Sequence, residues 1–137
     1  MSYVVTFDTN ILLSRVGWRG RPYQCLEFAR AGDVESVTCR ELLEELSEKL
    51  VTKLCFSPVQ ATDPIADLLM FMRLVTITNS LEVVAADPDD NKVVECAVVG
   101  RSTRIVTGDR RHLLPLGSYQ GIDIVTAAAF LALVSAM

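Results

Sequence analysis

Short apolar runs rich in β-branched residues alternate along this chain with longer segments whose apolar residues recur every three or four positions. This alternation restricts the fold more than any other feature. Strand patterns fall at residues 3–7, 34–38, 75–78, 104–107 and 122–125, with a further extended apolar stretch at 81–85. Helical patterns lie between them. A short one covers 11–16, and after a polar Gly/Arg-rich loop, Pro22 suits the first turn of another that runs to Arg30 and stops at Gly32. Leu42, Leu43, Leu46, Leu50 and Leu54 mark one face of a helix over 40–54, and the apolar run from Leu68 to Met72 sits in a helix expected over 64–74. Asp89 or Asp90 is placed to cap a helix that runs to Val99 and ends at Gly100. Residues 109–121 read as turns, and 127–136 as a last apolar helix. Strand–helix–strand units join parallel neighbours through right-handed crossovers, so the expectation is a single domain over residues 1–137, an α/β sandwich around a mostly parallel sheet.

A chain of 137 residues can bury a core without disulfide or metal staples. Half of the residues are hydrophobic and the mean hydropathy is +0.34, which excludes an intrinsically disordered chain. No apolar stretch reaches the roughly 18 residues of a membrane-spanning helix. The sequence enters a strand pattern at once, without the basic start and cleavage site of a signal peptide, so the expected setting is cytoplasmic and away from membranes. Cys25, Cys39, Cys55 and Cys96 have no paired spacing and His112 is the only histidine. That excludes a soft-ligand zinc site and makes the cysteines reduced core thiols. A net charge of -4 argues against a protein that coats nucleic acid non-specifically, but not against an enzyme whose acids are neutralised by metal.

The acids are placed where such an enzyme needs them. Asp8 follows the first strand pattern, Asp109 follows the strand at 104–107, and Asp87, Asp89 and Asp90 open the helix between them. Open parallel sheets bind ligands beyond the carboxyl ends of their strands. Each aspartate alone reads equally well as a helix cap or a turn residue. Three carboxylates gathered from distant segments repel one another unless a cation holds them, and magnesium or manganese suits oxygen ligands. The helix over 40–54 offers a fourth acid. Glu45 borders its apolar stripe, and Glu44 competes with it on spacing alone.

Phe-Asp-Thr-Asn at 7–10, Glu-Leu-Leu-Glu-Glu-Leu at 41–46, Asp-Pro-Asp-Asp-Asn at 87–91 with Ala97, and Ile-Val-Thr-Gly-Asp at 105–109 together resemble a PIN domain. The likeness is greatest to bacterial and archaeal PIN proteins grouped as toxins of toxin–antitoxin pairs, relatives of the VapC type. It covers essentially the whole chain in order. It implies a three-layer α/β/α sandwich with a parallel sheet of about five strands, and a magnesium- or manganese-dependent endoribonuclease. On the matching positions, Asp8, Glu45, Asp90 and Asp109 are the implied catalytic acids, with Asp8, Asp90 and Asp109 as metal ligands and Asn10 and Thr107 in support. Asp87 or Asp89 is a candidate outer contributor. The resemblance also implies a homodimer and a cognate antitoxin, for which the apolar C-terminal helix and the run within 65–74 offer a face where they are not ordinary core.

Such an enzyme cuts RNA with metal-activated water and needs no nucleophilic side chain. Arg110 and Arg111, with Arg15, Arg19 and Arg21 after the first strand, flank the acidic edge and are expected to engage the RNA backbone. Trp18 offers a ring for base stacking but reads more simply as packing, and His112 more simply as an exposed turn than as a general acid. Two other functions compete. A dehalogenase-like phosphatase needs a second acid two residues after Asp8, where Asn10 stands. A catalytically silent PIN-like scaffold that binds RNA or protein is the alternative from a different class.

Overall fold

The computed structural model describes residues 3–84 and 87–137. Its elements run β1 (Val4–Phe7), α1 (Thr9–Gly17), α2 (Arg21–Arg30), β2 (Glu35–Cys39), α3 (Arg40–Leu54), α4 (Thr62–Leu69), β3 (Met72–Val75), α5 (Pro88–Val99), β4 (Arg104–Val106), α6 (Leu113–Leu116), β5 (Ser118–Tyr119), β6 (Ile122–Val125) and α7 (Ala127–Ser135). The sheet order is β3-β2-β1-β4-β6-β5. All neighbours are parallel except β5, which pairs antiparallel with β6. β1 lies inside the sheet, with Thr6 opposite Val37 on one side and Ile105 on the other. Val5, Thr6 and Phe7 are accordingly buried, as a strand covered on both faces requires.

Alternation along the strands divides the core in two. Val5 and Phe7 face a cluster built with Leu12, Leu26, Leu46, Leu50, Leu68 and Phe130 from the helices α1 to α4 and α7. Phe7 meets Phe130 edge-on, with ring centroids 6.2 Å apart. Val37, Ile105 and Ile124 face the other cluster with Val93, Val94, Ala97 and Leu113 from α5 and α6. Each fully buried Leu or Phe contributes about 1.5–3 kcal/mol of transfer free energy, so these two apolar layers are the main stabilising term. The result is the expected α/β/α sandwich. α5 closes on β2 only because Gly100 ends it: a Cβ there would overlap the Val37 side chain.

Several boundaries differ from the pattern reading. β3 occupies Met72–Val75, not 75–78, and α4 stops at Leu69. The run from Leu68 to Met72 is apolar throughout, so periodicity does not mark where the helix gives way to the strand. After β3, the N–H groups of Thr78, Asn79, Ser80 and Leu81 all donate to the Glu95 carboxylate at 2.7–2.9 Å, which removes them from any strand ladder. Residues 81–84 form no strand either, because Val83 and Val84 give their N–H groups to Asn91 Oδ1. The end of that expected stretch, at 85, lies outside the described residues. The cap of α5 is Asp87, which accepts from Asp89 N at 3.0 Å with Pro88 in the first turn; Asp89 and Asp90 lie inside the helix. The turn-rich segment holds α6 and the short β5, so the sheet has five parallel strands and one antiparallel edge. All four cysteines are free, but Cys55 is exposed; it ends α3 in a left-handed conformation with φ of 58°.

Candidate active site

The chain leaves β1 in one direction to reach β2 and later returns to β1's other side as β4, so the sheet order reverses between β1 and β4. In open α/β sheets that reversal opens a crevice beyond the carboxyl ends of the two strands. Asp8 ends β1 and Thr107-Gly108-Asp109 follows β4, so both reach this crevice. A depression of about 390 Å³ lies there. Six carboxylates line it (Asp8, Glu45, Asp87, Asp89, Asp90 and Asp109), together with Asn10, Lys49, Arg111 and His112.

The Asp-Thr-Asn triplet builds one wall. Asp8 N donates to Val106 O at 3.0 Å, which fixes the end of β1 against β4. One Asp8 oxygen caps α1 by accepting from Thr9 N at 2.7 Å, and the other accepts from Thr107 Oγ1 at 2.7 Å. One Asp8 side chain therefore caps α1 and also lines the depression. Thr9 Oγ1 donates to Glu45 Oε2 at 2.9 Å. Lys49 Nζ stands 3.1 Å from the other Glu45 oxygen and donates to Asn10 Oδ1 at 3.0 Å. Glu45 thus faces the depression, while Glu44 points outward and pairs with Arg40 at 3.3 Å. Burial raises the Asp8 carboxyl above the ordinary range, against the opposing pull of its bonds from Thr107 and Thr9.

Thr107 joins the two strand ends, since its hydroxyl also accepts from Asp109 N at 3.0 Å. Burial pulls the Asp109 carboxyl upward, but the N–H groups of Arg111, Leu113 and His112 outweigh it and hold the group below its usual range. Asp90, in the first turn of α5, is treated oppositely. Burial, followed by the charges of Asp109 and Asp87, pushes it up to about 7. Its Oδ2 is buried with no hydrogen-bond partner among the described residues.

Donor chemistry and charge suit a hard cation: the acids offer only oxygen, and the orphaned Asp90 oxygen is the kind of group a cation satisfies. Among the described residues, no three acidic, histidine or cysteine groups stand close enough to hold one ion as they are placed. The reason is local, because Asp8, Glu45 and Asp109 direct their oxygens to protein donors.

The arginines divide. Arg111 lines the acidic depression, and Arg21 and Arg110 line a neighbouring cleft. Arg19 lies over the Tyr23 ring at 5.3 Å and lines neither. Arg15 is not free for a substrate: it pairs with Glu27 at 3.7 Å and packs over Tyr23 and Phe71. Trp18 is 60% exposed. His112 lines the depression but precedes α6, with its N–H turned to Asp109. Lys49 is a site residue that the pattern reading overlooked. Its signal is the spacing of four from Glu45, which is indistinguishable in sequence from an exposed helical ion pair. Glu95 and Asn91 were overlooked as well, although they set the loop that leads into α5.

The PIN domain profile matches residues 4–111. Comparison with curated proteins found no match. Among solved structures, VapBC2 from Rickettsia felis, bound to a DNA fragment from their promoter, is similar with a TM-score of 0.62 and 12% identity, over 90% of this chain and 98% of the matched one. PAE2754 from Pyrobaculum aerophilum is similar with a TM-score of 0.65 and 12% identity, over 99% of this chain and 91% of the matched one. At that identity the likeness is one of fold. The profile match runs from the strand that presents Asp8 to the turn that presents Asp109 and Arg111, and on that ground the chain belongs to the PIN-domain family.

Proposed function

We propose that the protein is a magnesium- or manganese-dependent endoribonuclease of the PIN type, and the toxin of a toxin–antitoxin pair. The observation that carries this reading is the meeting of Asp8, Glu45, Asp90 and Asp109, from four separate elements, in one depression at the β1–β4 crevice. Asp8, Asp90 and Asp109 are the residues that would hold the cation. When bound, it supplies an activated water and offsets charge on the scissile phosphate. Around it, Thr107 keeps Asp8 and the Asp109 backbone in register, while Thr9 and Lys49 orient Glu45. Arg111 at the rim, with Arg21 and Arg110 in the neighbouring cleft, would engage the RNA backbone, and Arg19, held over Tyr23, would meet it only farther along the strand. Attack of water in line on phosphorus leaves 5′-phosphate and 3′-hydroxyl ends.

Likeness to VapBC2 supports an antitoxin partner, and a homodimer acting in the cytoplasm completes the proposal. Leu69, Met70 and Leu74 are exposed around the end of α4 and on β3, and give either partner an apolar contact. No helix among the described residues is long and apolar enough to cross a membrane. One observation favours a second reading, a silent RNA- or protein-binding scaffold: most of the acids are already hydrogen-bonded within the protein. The deciding experiment is cleavage of end-labelled single-stranded and structured RNAs with magnesium, manganese or EDTA, beside Asp8→Asn prepared identically. Metal-dependent cutting by the wild type alone supports the nuclease. Equal RNA binding by both proteins with no cutting by either supports the scaffold.

A further inference from the structure

A second depression, of about 330 Å³, lies across the Asp8–Thr107 pair from the acidic one, and Asn10 lines both. Its character is opposite. No acid lines it, whereas Arg21 at the start of α2 and Arg110 after β4 do. Arg15, Arg30, Arg40, Arg73 and Arg104 each pair with a carboxylate. Among the described residues Arg21 and Arg110 have no such partner, and both are exposed. The rest of the lining is mostly apolar, from Ile11, Pro22, Leu114, Ala127 and Ala128, with the hydroxyls of Ser14, Thr107 and Thr126 and the Asn10 amide. The space beside Gly108, also in the lining, is open: a Cβ added there would meet nothing within 4 Å.

A strand of nucleic acid entering the acidic depression meets six carboxylates, offset there by Lys49, Arg111 and the cation the site would hold, so contacts on either side add to its affinity. Unpaired guanidinium groups are the side chains best matched to a phosphodiester, and a flat apolar surface accepts a nucleoside whose base is not paired. Resting on the nuclease reading above, we infer that this cleft is the subsite for the nucleotide next to the scissile bond. It grips one phosphodiester between Arg21 and Arg110 and lays the attached nucleoside on the Ile11–Pro22–Leu114 floor. A duplex keeps its bases stacked and paired and cannot offer one to the floor.

The test is binding of a fluorescent single-stranded RNA hexamer by Asp8→Asn protein, with and without the double change Arg21→Ala/Arg110→Ala. Arg101→Ala, an exposed arginine at the opposite end of the sheet, is the control. The double variant is expected to bind at least about tenfold more weakly, with its log–log salt slope shallower by roughly 0.7 for the one lost phosphate contact. The Arg101 variant should bind unchanged, and the same sequence as a duplex should bind more weakly than the single strand. In the wild type, 5′-AMP should shift the Arg21 and Arg110 side-chain NMR signals. Unchanged affinity and slope in a folded double variant, in an enzyme that still cuts RNA, overturn the subsite and leave the nuclease. Arginine-dependent binding with no cleavage under any metal keeps the strand site and removes the nuclease. Equal binding of duplex overturns the nucleoside floor, and absence of all RNA and AMP binding overturns the inference entirely.

Discussion

Asp90 holds an uncomfortable position in the depression. Its Oδ2 is buried with no partner among the described residues, and burial with neighbouring acids pushes it up to about 7. Because the folded state holds this proton more tightly than the unfolded chain, Asp90 favours the fold at low pH and loses that advantage as pH rises through about 7. Asp90→Asn in EDTA should therefore raise Tm at about pH 8, by an amount of order 1–2 kcal/mol after allowing for solvent in the depression, and change it little at about pH 4. Thermal unfolding at both pH values checks this; a lower Tm at the higher pH would make Asp90 a structural group instead. Thr107→Val removes a donor from Asp8 and an acceptor from Asp109 N in a buried place, and should cost about 1–3 kcal/mol in chemical denaturation. Lys49 contrasts with it. Its contacts with Glu45 and Asn10 are partly exposed, so Lys49→Met should change stability by less than about 1 kcal/mol while lowering cleavage in the RNA assay.

At the scale of elements, α5 is the piece that brings Asp90 to the crevice, and two side chains on it hold the preceding loop in place. Asn91 binds the backbone of Val83 and Val84, and the buried Glu95 carboxylate accepts the N–H groups of residues 78–81. Burial alone would raise Glu95, but these backbone donors together hold it below its usual range. Its stabilisation is thus present above the unfolded pKa and disappears as pH falls through the lower folded value, which adds to acid unfolding. Glu95→Gln keeps one oxygen acceptor, loses the other and the charge, and should cost about 2–4 kcal/mol in urea unfolding; an unchanged midpoint would show that the loop is held by other contacts. At the other end of α5, Gly100→Ala forces a methyl against Val37 and should cost about 1–3 kcal/mol by the same measurement. The helix faces and most strands were legible in the sequence because they repeat: α3 and β6 fall where periodicity puts them. β3 was not, since an unbroken apolar run carries no period and the 78–81 backbone is claimed by a glutamate whose role depends on the fold.

For the whole molecule, the engaged acids predict linkage between metal and stability. If the depression takes magnesium or manganese, either ion should raise Tm in the wild type, by the equivalent of about 2.7 kcal/mol at a hundredfold excess over Kd, and by much less in Asp90→Asn. Differential scanning fluorimetry against metal concentration measures it, and no shift in the wild type would remove the metal site. The order of residues along the chain determined the alternation of strands and helices, and with it the α/β/α layers and the placement of Asp8 and Asp109 after β1 and β4, because burial periodicity and strand-end position are local properties. Tertiary structure alone decided the rest. Glu45 stands in the depression and Glu44 outside it because α3 lies at a particular rotation against Thr9 and Lys49 reaches across to Asn10. Arg15 is tied to Glu27, whereas Arg21 and Arg110 beside the site have no carboxylate partner among the described residues, because the packing of α1 against α2 and the turn after β4 set which charges can meet. Each of these outcomes depends on distances between segments far apart in the chain, and periodicity along a sequence does not encode distance across a fold.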